Sequence, residues 1–284
     1  CGSGKNLCGG ADIREFNTPD REVKPMSRDL MNLLEESKKL IVAAIHGPTL
    51  GGGLELALGC HYRIADKLAS LGLPEVQRGV IPGAGGTQRL PRLIGLQPAI
   101  KMITSGLPVD ANEALNLGIV DLISTSDLLS ESIAFARNLI ANNSEPKRIS
   151  AMKIEGSLEE NTKLIEENRL LLKKNSPGLS APIHALESIR NAVMMSFDEG
   201  WKAEAELSRI SMASDQSRSL VHAFFAERQI HKIPDISSDT ILRPIKKAAI
   251  IGAGTMGGGI AMSFVNAGVP VTLIEISSEN LVNG

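Results

Sequence analysis

The chain has 284 residues, 43% hydrophobic and 22% charged, a globular composition that argues against disorder and collagen. Thirty Lys and Arg against 32 Asp and Glu leave a net charge of -2, too little positive field for a nucleic-acid partner. Aromatics are only 3%, which argues against a sugar groove built on stacked rings, and no apolar stretch reaches the roughly 18 residues of a membrane span.

Cys1, Cys8 and Cys60 have no CxxC spacing and read as free thiols in a reducing compartment. Cys1 to Lys5 reads as the tail of a strand running into a loop, so the chain is expected to start inside a domain. LIVAAI, from Leu40 to Ile45, is a continuous apolar run suited to a strand buried on both faces. Gly51, Gly52 and Gly53 follow, then a helix from Leu54 to Leu58. The unit repeats from Tyr62, through Leu73-Pro74-Glu75 and Pro82-Gly83-Ala84-Gly85-Gly86, into a helix over Thr87 to Ile94. Such repetition predicts an α/β domain. After Asp121 the strand signals stop. Helical stretches are expected at Leu158 to Lys174, Ala185 to Met195, Glu199 to Met212 and Ser217 to Gln229. A polar linker leads to a new buried strand, Ala248 to Ile251.

Gly252-Ala-Gly254-Thr-Met-Gly257 then matches GxGxxG between that strand and a helix over Met256 to Ala267. The next strand, Val271 to Ile274, ends in Glu275, about 20 residues on, where an acid binds a ribose hydroxyl and favours NAD over its 2'-phosphorylated form. The expected segments are 1-142, an α/β domain; 143-232, a helical linker domain; 233-245, a linker; and 246-284, the beginning of a dinucleotide-binding domain. His46, His61, His184, His222 and His231 form no HExxH or Cys/His cluster, so no metal site is expected.

A buried strand feeding glycines and then a helix exposes unpaired N–H groups at the positive end of the helix dipole. Gly52 begins such a helix, and Gly9-Gly10-Ala11-Asp12 offers a second small-residue loop whose amide could meet the same oxygen. Glu55 lies one helical turn on, and Glu75 sits in an apolar Leu-Gly-Leu-Pro setting. Two carboxyls in one cleft would repel, leaving one protonated and one ionised near neutral pH. Taken singly, Glu55 also reads as a favourable acid at a helix start and Glu75 as a solvated loop residue.

IVAAIHGPTLGGGLELALGC, preceded by LCGGADIREF and followed by LGLPEVQRGVIPGAGGTQRLPRLIG, resembles the crotonase family of enoyl-CoA hydratases and isomerases. The resemblance implies a crotonase-like ββα spiral, a helical linker and the start of a Rossmann domain. It implies that the amides of Ala11 and Gly52 bind the thioester oxygen of an acyl-CoA. Glu55 and Glu75 stand at the two catalytic glutamates, Gly83 where the attacking water is positioned, and Lys5 and Arg14 are the candidates for the CoA phosphates. Hydration of a trans-2-enoyl-CoA follows, with double-bond isomerisation at the same site; a non-catalytic acyl-CoA-binding protein and an NAD-binding dehydrogenase with an accessory domain are the alternatives.

A hydratase, helices and a nucleotide fingerprint in this order resemble the multifunctional β-oxidation enzymes, most closely in HAFFAERQIHKIP their peroxisomal form; bacterial cytoplasm or mitochondrion is the alternative location. That resemblance implies a monomer. The family has roughly 50 further residues before position 1, one or two supersecondary units, and later dehydrogenase strands that this sequence does not include. The chain by itself is therefore expected to lack dehydrogenase activity.

Overall fold

The computed structural model describes residues 1-16, 18, 26-230, 233-237 and 239-283. His231 and Lys232, assigned from sequence to the end of the helical segment, lie outside them. Residues Cys1–Gln229 form one compact unit and Ile230–Gly284 a second. The boundary expected at 142/143 falls inside the first unit.

Residues 1-12 carry no strand, contrary to the expected strand tail at Cys1. They lie as a loop against later residues, Leu7 N–H donating to the His46 carbonyl (3.0 Å) and Leu50 N–H to that of Cys8 (3.4 Å). Helix α1 spans Ser27–Glu35, strand β1 Val42–Ile45, β2 Pro48–Leu50 and helix α2 Gly52–Leu58. Then come β3 (Tyr62–Asp66), β4 (Ser70–Gly72), a 3₁₀ turn (Pro74–Arg78), α3 (Gly86–Ile94), α4 (Leu96–Ser105), β5 (Val109–Asp110), α5 (Ala111–Asn116), β6 (Leu122–Ser124) and α6 (Leu128–Ala141). The apolar β1 is buried as its run implies, Ile45 completely.

Two small sheets result. β3 lies between β1 and β6, all parallel, with Ala44 opposite Ile64 and Ala65 opposite Ile123. β2 pairs parallel with β4, and β4 antiparallel with β5. β6 corrects the expectation that strands end at Asp121. Asp121 instead ties β6 to β3, its carboxylate accepting the Arg63 N–H (2.8 Å) while its own N–H donates to the Arg63 carbonyl (2.8 Å).

Helices α7 (Leu158–Asn175), α8 (Ala181–Met194), α9 (Phe197–Met212) and α10 (Asp215–Ile230) follow. Ser157 with Glu160 and Ser196 with Glu199 form capping boxes that start α7 and α9, each side chain satisfying the other residue's N–H. Along α8, Ala181, Ala185, Leu186 and Ile189 form a buried stripe at helical spacing. Through it α8 packs on α3, α4, α7 and α9, so the helical segment shares one core with the strands.

The second unit holds β7 (Ala248–Ile251), α11 (Thr255–Asn266), β8 (Val271–Ile274) and α12 (Ser278–Asn283). β7 and β8 pair in parallel, Ile250 opposite Leu273. The strand expected to be buried is not. α11 packs on the pair, alternate side chains of β7 are exposed, and Ile251 is 87% exposed.

Candidate active site

The glycines of the turn after β2 answer to three separate close approaches. Gly51 has φ 55°, a left-handed value that favours glycine, and a Cβ there would come 2.9 Å from Glu75 Oε1. A Cβ on Gly53 would stand 2.1 Å from the Cys8 carbonyl oxygen, and one on Gly10 2.8 Å from that of Leu50. The loop of residues 8-11 therefore lies directly against the first turn of α2. A Cβ on Gly52 would come 3.5 Å from the Ala11 nitrogen, and one on Gly10 3.5 Å from the Gly52 nitrogen. The amides of Ala11 and Gly52 are thus neighbours, and neither donates to another group among the described residues. Together they can meet one anionic oxygen.

The two sequence-identified glutamates lie on the helix that follows the glycine turn and on the 3₁₀ turn packed against it. Glu75 lies on the 3₁₀ turn, its carboxyl against Gly51. Glu55 is one turn into α2 and 4% exposed. Its Oε1 accepts the N–H groups of Ala84 (2.7 Å) and Gly86 (2.8 Å), which ties α2 to the start of α3. Burial pushes the Glu55 carboxyl above its ordinary value, against the pull of these two donors and of Arg89 and Arg28. The carboxyl that feels Glu55's charge is one the sequence reading did not single out. Glu204, on α9 and fully buried, accepts the N–H groups of Gly85 (2.7 Å) and Thr87 (3.1 Å) and is pushed up to about 7, by burial first and then by Glu55.

Gly83 packs on α9, where a Cβ would stand 2.6 Å from Ser208 Oγ; its N–H has no partner among the described residues. Lys5 is exposed on the N-terminal loop. Arg14 is occupied in an exposed pair with Asp12 (2.6 Å), the residue after Ala11, so a phosphate would compete with that carboxylate for it.

In the second unit Gly252 has φ 101°, and a Cβ on Gly257 would stand 1.9 Å from the Gly252 carbonyl oxygen. Gly254 has open space beside it. Ala253, Gly254, Thr255 and Gly258 line one side of a cleft of about 420 Å³. Glu275 accepts the N–H of Ala253, one of these residues (2.8 Å). Three successive donors, Ala253, Ser277 and Ile276, hold its carboxyl below the ordinary value.

Residues 1–176 match the enoyl-CoA hydratase/isomerase family, and residues 247–284 match the NAD binding domain of 3-hydroxyacyl-CoA dehydrogenase. The peroxisomal bifunctional enzyme of Danio rerio is 40% identical over 294 aligned residues, covering 100% of this chain and 40% of the relative. That of Homo sapiens is 39% identical over 285 residues, covering 99% and 39%. The chain thus spans about two fifths of the length of the curated relatives it matches. An enoyl-CoA hydratase/isomerase structure from Mycobacterium paratuberculosis superposes with a TM-score of 0.53 at 22% identity, over 78% of this chain and 77% of that one, a likeness of fold.

Proposed function

The chain belongs to the enoyl-CoA hydratase/isomerase family, and from that membership we propose that its first unit adds water across the double bond of a trans-2-enoyl-CoA, giving a 3-hydroxyacyl-CoA in fatty-acid β-oxidation. The observation that carries this reading is the adjacency of the Ala11 and Gly52 amides at the start of α2, with the Glu75 carboxyl against Gly51 and Glu55 one turn into the helix.

The thioester oxygen sits between the two N–H groups, which strengthen their hold as the carbonyl becomes enolate-like; one such donor is worth about 3 kcal/mol of transition-state stabilisation. Ionised Glu55 accepts a proton from water as the oxygen bonds to C3, and Gly83 helps to position that water. Both backbone donors to Glu55 converge on Oε1, which leaves Oε2 for the water. Protonated Glu75 delivers a proton to C2, so H and OH are added and the two carboxyls have exchanged protonation states. Without an attacking water, Glu75 moves a proton between C2 and C4 and so converts a 3-enoyl to a 2-enoyl thioester. Lys5, and Arg14 once released from Asp12, meet the CoA phosphates.

In the second unit, the open side of Gly254 and the strained backbone of Gly252 suit a dinucleotide pyrophosphate. NAD, when bound, would supply a hydride acceptor; Gly252 and Gly254 would let its phosphates approach, Gly257 would keep the helix close against that turn, and Glu275 would bind a ribose hydroxyl. The names of the relatives support a peroxisomal setting, and the match to the NAD binding domain of 3-hydroxyacyl-CoA dehydrogenase supports a parent protein that also oxidises the 3-hydroxyacyl-CoA.

Adding crotonyl-CoA and following loss of the conjugated thioester absorbance tests the hydratase reading. Absorbance should fall with the parent chain and hold steady with Glu75→Gln, which should still bind CoA. Equal rates for the two proteins would remove Glu75 from its role.

A further inference from the structure

Two buried carboxyls grip one stretch of backbone. Along residues 84-87 the amides alternate: Ala84 and Gly86 donate to Glu55, Gly85 and Thr87 to Glu204. The two acids come from α2 and α9, far apart in sequence, and meet through the start of α3. The charged groups facing them are Arg89 of α3 and Arg28 of α1. Arg89 is already paired with buried Glu35 of α1 (2.7 Å) and bonded to Asn32 (3.1 Å). Arg28 donates to the Trp201 carbonyl. Among the described residues, then, Arg28 is the cation left facing two buried carboxyls. Two uncompensated buried charges are far more costly than one, so one proton is retained.

The partners decide which acid holds that proton. The partners recorded for Glu55 are N–H donors, which bind the ionised form. Glu204 accepts two N–H groups as well, but its Oε2 also lies 2.5 Å from the Thr87 hydroxyl, a group that can reverse its role and that is 2.6 Å from the Ser188 hydroxyl. A protonated Glu204 can donate to Thr87 while Thr87 donates to Ser188.

We propose that Glu204 is a positioning residue for the hydration step: with Glu55 it fixes residues 84-87 and shares a single negative charge, the proton resting on Glu204 while Glu55 is ionised and ready to take a proton from water. This rests on the hydratase reading for its catalytic half; the charge sharing stands on the geometry alone.

Burial and then Glu55's charge raise Glu204 from 4.5 to about 7. A carboxyl raised on folding contributes stability that is present below its unfolded value and is lost as pH rises through the folded one. Glu204→Gln removes that loss. Its Tm relative to the parent should climb by several degrees between about pH 5 and about pH 8, and should do so much less in a Glu55→Gln background. The acid limb of kcat/KM for crotonyl-CoA hydration, set by Glu55 beside an uncharged partner in both proteins, should stay in place, whereas the alkaline limb, where Glu204 would ionise in the parent and add a second charge beneath the loop, should move up by about one pH unit in Glu204→Gln.

A Tm difference that stays flat from pH 5 to 8 overturns the charge sharing, whatever the activity. An alkaline limb that stays in place while kcat falls overturns the catalytic half and leaves Glu204 a brace for the loop. If the parent chain does not hydrate crotonyl-CoA, the hydratase reading fails, and the Tm series still decides the pairing. Should Glu204→Gln not fold, Glu55→Gln answers from the other side: the midpoint of the Glu204 carboxyl, followed by its ¹³C resonance, falls if the acids share a charge and is unchanged if they do not.

Discussion

Each unit of the molecule turns a strand into a helix through glycines, and the two turns differ in what surrounds them. At α2 the glycines let a neighbouring loop close in: the space beside Gly53 is filled by Cys8 and that beside Gly51 by Glu75, and the helix is buried. At α11 the space beside Gly254 is open, and no residue of the helix is buried. On the proposed reading, the same backbone device, amides at the positive end of a helix, serves two chemistries. Enclosure by buried acids suits a developing charge that must be met and supplied with protons. An open edge suits a cofactor that comes and goes.

The largest effect should come from the enclosed turn. Glu75→Gln should lower kcat for hydration by about a hundredfold or more, with CoA binding retained; crotonyl-CoA kinetics and a binding isotherm measure both. Next, Gly53→Ala should push Cys8 and the loop with Ala11 away, lowering kcat/KM by about a hundredfold and lowering Tm. Gly254→Ala, the counterpart at the open turn, should leave Tm unchanged, whereas Gly257→Ala should destabilise its unit by displacing Gly252. Equal thermal effects of the changes at 53 and 254 would erase the contrast between the two turns.

That contrast was only partly legible in the sequence. LIVAAI followed by three glycines announces a buried strand, a tight turn and a helix start, and Glu55 and Glu75 sit within those signals. The strands β2, β4, β5 and β6 are two or three residues long, too short for alternation to register. Glu204 was missed because Ala-Glu-Ala-Glu repeats look like a solvated helix face. The signal that could have found it is the stripe Gly200, Glu204, Ser208 and Ser211, small residues at helical spacing with one acid among them, all buried. Glu206, two residues on, faces solvent and pairs with Arg209 (2.7 Å, both more than half exposed).

Smaller effects separate the units further. Arg89→Ala leaves Glu35 charged and buried without its partner beneath the 84-87 loop, so it should destabilise the first unit by about 3 kcal/mol or more in denaturant unfolding. Arg209→Ala should leave stability unchanged within error. The smallest effect should lie at the open edge. Glu275 is held below 4.5 by its backbone donors, so its grip on Ala253 is present above that value and is lost as pH falls through the lower folded one. The Ala253 amide resonance should therefore move in acid and stay still in Glu275→Gln; a shift of equal size in both proteins would detach the loop from that carboxyl.

The most direct test of the whole account uses crotonyl-CoA labelled with ¹³C at the carbonyl, bound to Glu75→Gln so that it is not consumed. If the Ala11 and Gly52 amides grip the thioester oxygen, the carbonyl resonance moves downfield from its position in water, and Gly53→Ala in the same background abolishes the shift. A bound resonance unchanged from water would mean that the two N–H groups do not meet that oxygen, and the hydration mechanism would fall with them.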